Sequence, residues 1–341
     1  MTRFLIALTI LAAPLAAQES LPPVGSIEIY GLEHVVDSVV RRAVDLVPGD
    51  PPPGRAAQAA MLTRLRAIRG VRDASFNGVC CDARGKTMVF VGIAESGTPR
   101  LTYRPSPAGS IRLPAGIVAR DSVFGVRLIE AVRAGRSAEA DSGGHEFFVD
   151  SALNAIQHEY LAFAPTRLAL IRDVLEHSAS TQQRVLAAEL LNYAPRVRDV
   201  IPDLVAALRD PASDVRNAAM RSLWAIASYG QAKPELGIHV PFAPFIDLLG
   251  SLDWTDRNKS SLALMQLTVG RDSSLLTELR ARAIRPLLEI ARWSDPGHAF
   301  PAVVILGRIE GRRDQEIFGA LQRGDRTAIV AQAERLLQES P

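Results

Sequence analysis

The only two cysteines of the 341-residue chain stand side by side, as Cys80 and Cys81 in "GVCCDARG". Redox or disulfide chemistry is open to such a pair, whereas a structural zinc site needs four ligands at spacings absent here. Three outcomes stay open: a bond between the two, two buried thiols, or a bridge to another chain. The six histidines are the other source of chemistry. His145-Glu146 and His158-Glu159 resemble halves of a metal site, but two histidines on one helical face need the i, i+4 spacing of HExxH, and neither "HEFF" nor "HEYL" has it. No GxSxG, no P-loop and no GxGxxG leading a βαβ pattern occurs. The sequence therefore predicts no catalytic residue, no metal, no cofactor and no enzyme.

Where the pair works depends on where the chain goes. Arg3, an apolar run from Phe4 to Ala13 and the small residues Ala16 and Ala17 have the form of a secretory signal peptide, residues 1–17. The run is too short for a membrane anchor and stops at Pro14; no later stretch is apolar enough to span a bilayer. No cysteine follows the cleavage site, which argues against a lipid anchor. The expected mature chain is exported and periplasmic. Its 39 Lys+Arg against 37 Asp+Glu leave a net charge of +2, which gives no footing for nucleic acid.

The elements that position these residues begin after Pro23. "SIEIYGL" alternates Ile27 and Ile29 and closes at Gly31, a short strand. "HVVDSVVRRAVDLVPGD" spaces its valines for an amphipathic helix stopped by Pro48 and Gly49, and "RAAQAAMLTRLRAIRG" gives a second helix ended by Gly70. "DASFNGVCC" and "TMVFVGIAE" then form a hairpin turning on "DARGK". The continuous apolar run "MVFVGI" reads as a central strand and the mixed "ASFNGV" as an edge. Successive side chains alternate along a strand, so one thiol of the pair is expected to face the helices and the other solvent.

Residues 24–95 resemble a POTRA domain. The likeness rests on "IEIYGL", the "LVPGDPP" turn between helices, the "LRAIRGVRDASF" passage and "VFVGIAE" ending on Glu95. It implies scaffolding or chaperone-like contacts with envelope or exported proteins, and a peripheral association with outer-membrane machinery. POTRA units of transporters precede a barrel, and this chain has no such strands after residue 95. The unguarded edge Ala74, Ser75, Phe76, Asn77, Gly78 and Val79 is the expected partner-binding strand, able to accept an added strand.

A linker, residues 96–110, and an irregular helical cap, residues 111–165, lead into residues 166–341, where helical hairpins recur every 30 to 45 residues, the period of a solenoid. The unit "RDVIPDLVAALRDPASDVRNAAMRSLWAIASYG" resembles a HEAT repeat, through Pro202, Asp210, Val215, Arg216 and Ala219. The resemblance implies a hydrogen-bonded ladder between neighbouring repeats, made by the turn residue Asp210 and the arginines Arg184, Arg216 and Arg257, which are then structural rather than ligand-binding. Trp224 falls on an apolar stripe, whereas Trp254 and Trp293 lie at helix ends as candidates for exposure and ligand stacking. The fold class expected is thus a small α+β β-α-α-β-β domain followed by an all-α solenoid of HEAT-like hairpins. The function expected is a non-enzymatic scaffold or adaptor, with a small-ligand-binding solenoid or an enzyme with an inter-domain site as alternatives.

Overall fold

The computed structural model describes residues 21–339, so the expected signal peptide lies outside the described residues. The first unit follows the sequence signals closely: β1 (Val24–Tyr30), α1 (Asp37–Val44), α2 (Arg55–Arg66), β2 (Val71–Val79) and β3 (Thr87–Glu95). β3 is central, parallel to β1 and antiparallel to β2. Its unbroken apolar run is explained by cover on both faces. On one face Val89, Val91 and Ile93 meet Val40, Val44, Met61 and Leu65 of α1 and α2. On the other, Tyr30, Met88 and Phe90 belong to the core of the helices that follow.

The segment after β3 is strapped to those helices. Leu101, Tyr103 and Ile111 pack on their core. The Arg104 N–H donates to the Arg209 carbonyl at 2.7 Å, and its guanidinium to Asp210 at 2.5 Å and the Leu175 carbonyl at 2.8 Å. Gly109 exchanges 2.8 Å backbone bonds with His177 and Ala179. Next come α3 (Ala115–Arg133) and a hairpin of β4 (Glu139–Ser142) and β5 (His145–Phe148), turning at Gly143 and Gly144 with φ of 67° and 86°. Two glycines at positive φ are what a two-residue hairpin turn demands. This hairpin stands where irregular helix was expected, because strands of four residues are too short to show a period.

The remainder is helical: α4 (Ser151–His177), α5 (Thr181–Leu191), α6 (Ile201–Ala207), α7 (Ser213–Ala232), α8 (Ala243–Leu248), α9 (Trp254–Leu267), α10 (Ser273–Arg282), α11 (Ile284–Ala291), α12 (Pro296–Ile309), α13 (Asp314–Gln322) and α14 (Thr327–Glu339). α4 carries Pro165 and breaks at Arg167, where φ of −132° and ψ of 19° leave the helical region, two residues from the boundary expected at residue 165. Asp150, Asp272 and Asp295 cap α4, α10 and α12 by accepting first-turn N–H groups. α5, α7, α9 and α12 pack each on the next, with α6 against α7, α8 against α9 and α11 against α12. Over the described residues the fold is mixed α+β, 59% helical, with a small three-stranded sheet near the N-terminus. Among the described residues no helix is long and apolar enough to cross a membrane.

Candidate functional site

A sheet of three strands has two edges, and each leaves backbone groups unpaired here. In β2 a bulge lies between Val71 and Asp73, after which residues pair one to one with β3. Ala74 turns outward: its N–H is taken by Asp73 Oδ1 at 2.8 Å and its carbonyl by Arg66 Nη2 at 3.2 Å. Partial burial pushes the Asp73 carboxyl up, but bonds from Arg66 and the Ala74 N–H, with the charges of Arg66 and Arg72, hold it below the usual range. By alternation Phe76 and Gly78 also present N–H and C=O outward, while Ser75, Asn77 and Val79 bond to β3. Beyond that ladder, Phe76 and Gly78 hydrogen-bond to no described residue. Arg66 thus guards one end of the edge and leaves the other open.

The side chains of β2 divide by face. Ala74 and Phe76 pack toward α1 and α2, whereas Ser75 Oγ donates to the Leu252 carbonyl at 2.6 Å and Val79 rests on the helical core. β2 is thus an edge strand with the backbone of Phe76 and Gly78 turned outward and the Ser75 side chain committed to the helices.

The edge of β1 was not singled out in the sequence. The Thr87 N–H reaches the Pro23 carbonyl at 3.1 Å, which sets Thr87, Val89 and Val91 facing β1. In a parallel ladder the residues opposite, Ile27 and Ile29, then turn their own N–H and C=O outward. They open onto a groove of about 560 Å³ whose lining combines Val44, Leu46, Val47 and Pro48 with two cations, Arg41 and Arg42, and two carboxylates, Asp45 and Asp50. Arg41 is held by Asp37 at 2.6 Å, while Arg42 forms no ion pair with a described residue. The signal that could have found this groove is the loop "DLVPGD": it puts apolar residues beside a strand rather than under it.

The flat face of the sheet is closed to partners because the helices occupy it. Phe90 packs on Trp254 and Trp293 with ring centroids 4.9 and 5.0 Å apart, and the His298 ring stacks on both Phe90 and Trp254. Trp293 is 2% and Trp254 9% exposed, so neither is the exposed helix-end tryptophan expected. The sheet covers both, whereas Trp224, expected in the core, is half-buried. Tyr30 donates to the Leu252 carbonyl at 2.8 Å, and the Gly31 N–H to Glu289 at 3.0 Å. Burial, against the nearby Arg257 charge, drives the Tyr30 phenol well above its ordinary range.

The four ladder residues sit in this seam and beneath it. Asp210 accepts both ends of Arg184 at 2.9 Å and also Arg104. Arg216 is fully buried on Asp256 and Asp253 and lies 4.2 Å from the Tyr103 ring centre. Arg257 holds Glu289 at 2.6 Å and lies 4.5 Å from the Tyr30 ring centre. These arginines thus join helix to helix and, through two tyrosines, join the sheet and strap to the helices. Sequence reasoning missed Arg308, which pairs with Asp314 and reaches the Met265 carbonyl.

Cys80 and Cys81 are bonded to each other where β2 ends, and both are exposed. The expectation that one would face the helices fails because the ladder stops at Val79, and the alternation stops with it. The histidines weighed as metal ligands separate: the His145 ring stacks on Tyr193, that of His158 on Phe147. Among the described residues no group of three or more His, Cys, Asp or Glu side chains converges to hold a metal.

Comparison with protein-family models finds none that matches the chain, and comparison with curated proteins finds no match.

Proposed function

We propose that this chain is an exported, non-enzymatic adaptor: a POTRA-like domain mounted on a HEAT-like solenoid, holding an envelope or exported protein by strand addition at the edges of its sheet. The observation that carries the reading is the outward, unpaired backbone of Phe76 and Gly78 on one edge and of Ile27 and Ile29 on the other. Main-chain bonds from an added strand supply affinity, and the groove beside β1 supplies side-chain selectivity. The family assignment is supported by the β-α-α-β-β order, by Glu95 at the end of the central strand and by the Arg–Asp pairs between successive helices. A ligand-stacking role for Trp254 and Trp293 has lost its surface to Phe90.

The test is site-specific photo-crosslinking from Gly78 and Ile27 in an envelope extract, repeated with Phe76→Pro and Ile29→Pro. Each proline removes an outward N–H without deleting a ladder bond. One of them is expected to cut client capture at least tenfold with the helical circular dichroism unchanged. Full capture by both variants overturns the reading and moves the binding surface to the helices.

A further inference from the structure

Cys80 and Cys81 are joined to each other at a sequence separation of one. A bond between neighbours closes the shortest loop a chain can have, so it removes little entropy from the unfolded state and ties no element to another. The hairpin does not depend on it either. The Asp82 N–H donates to the Lys86 carbonyl at 2.9 Å and the Gly85 N–H to the Asp82 carbonyl at 2.9 Å, while Asp82 Oδ1 accepts the N–H groups of Arg84 and Lys86, each at 2.9 Å. The turn is complete without sulfur.

Both cysteines are exposed, and Arg84 and Lys86 stand in the same turn. The Asp82 charge is spent on the turn: the Lys86 N–H, then the Arg84 N–H and guanidinium, hold its carboxyl below the usual range. An approaching thiolate therefore meets accessible sulfur beside a turn of net positive charge, Arg84 and Lys86 against Asp82, which favours its approach. A disulfide kept for stability is ordinarily buried between elements, and this one is neither.

We propose that Cys80 and Cys81 are a redox modification site: a dithiol/disulfide couple that exchanges electrons with thiols, independent of whether the sheet edges bind a partner. A thiolate attacks one cysteine sulfur, breaks the bond between the two and forms a mixed disulfide, leaving the other cysteine as thiolate. A second thiolate attacks the sulfur of the first and expels the remaining cysteine thiolate. Two thiols are thereby oxidised to one disulfide, the protein pair gains two electrons, and its two thiolates take protons from water. Small thiols carrying carboxylates, such as glutathione, or the dithiol of a protein reductant, are the class of reactant the turn favours.

The experiment equilibrates the full chain in glutathione buffers of graded ratio, quenches with acid, alkylates with N-ethylmaleimide and reads intact mass. Species carrying no label and two labels are expected to interconvert in one two-electron transition. Reduction should move the melting temperature by less than about 2 °C. The reduced chain should bind phenylarsine oxide one to one, the arsenic bonding both sulfurs with loss of water, and Cys80→Ser or Cys81→Ser should weaken this at least a hundredfold. The proposal is overturned if the pair is labelled only once the helices have melted or if reduction itself unfolds the chain. It is equally overturned if oxidised glutathione does not restore the bond in the reduced, folded protein.

Discussion

Glu95 ends β3 as a carboxylate whose side chain is 2% exposed, and its surroundings show why a charge is tolerated there. Its oxygens accept the N–H groups of Glu33, His34 and Val35 at 2.8 to 3.0 Å, with the His34 ring at 3.2 Å. Those N–H groups lie in the turn that leads into α1, so one residue fixes the entry of the helix to the end of the central strand. Burial pushes the carboxyl up, but the backbone bonds of Val35, Glu33 and His34 outweigh it and hold it below its ordinary 4.5. A folded-state value below the unfolded one means that the carboxylate adds stability at neutral pH and loses it as pH falls through the depressed value. Glu95→Gln is expected to lower stability at pH 7 by about 1.5–3 kcal/mol, the range for hydrogen bonds to a charged acceptor. Urea melts of both proteins over pH 7 to 2 should show the gap closing on acidification; a gap independent of pH would mean that the charge contributes nothing.

At the scale of elements, β3 must serve two layers at once, and Gly92 is a place in the strand where the fit leaves no room for a side chain. A methyl there would meet the Leu252 carbonyl at 2.4 Å, Ser75 Oγ at 2.6 Å and Tyr30 at 2.8 Å. Since the carbonyl is backbone, Gly92→Ala has to push the sheet away from the loop before α9, at a cost of roughly 1–3 kcal/mol for overpacking. The expected signature is a lower urea midpoint with loss of near-ultraviolet signal from Trp254 and Trp293, far-ultraviolet helicity being kept; an unaltered tryptophan signal would contradict the packing. How much of this was legible follows from period and cover. The strand and helix order of residues 24–95 was readable because each element is long enough to repeat its pattern, although α1 ends at Asp45, in the left-handed region, before the Pro48 and Gly49 expected to stop it. That Asp210 and the arginines form a ladder was legible through the resemblance, but which arginine meets the Asp210 carboxylate was not: Arg184 does, while Arg216 goes to Asp256. What was hidden lies between elements distant in sequence. Nothing local in "SLDWTD" or "ARWSDP" says that Phe90 lies on both tryptophans, and nothing in "SIEIYGL" says that a groove opens beside it.

For the whole molecule, the decisive feature is that one sheet belongs to two cores. Val89 and Val91 face α1 and α2, and Met88 and Phe90 face the helical array, so alternate residues of a single strand connect the layers. The strap reinforces this, because Tyr103 and Arg104 reach Arg216 and Asp210 within the array. Two units joined by a loose tether would unfold separately, whereas units that share a strand and a buried seam should unfold together. Phe90→Ala tests the difference. Removing the ring leaves a cavity against Trp254, Trp293 and His298, costing on the order of 3–5 kcal/mol. Hydrogen exchange is the measurement: amides of β3, α9 and α12 are expected to lose protection together and by similar factors. Faster exchange confined to β3, with α9 and α12 as slow as before, would show that the sheet and the helices are stable independently and that the seam does not couple them.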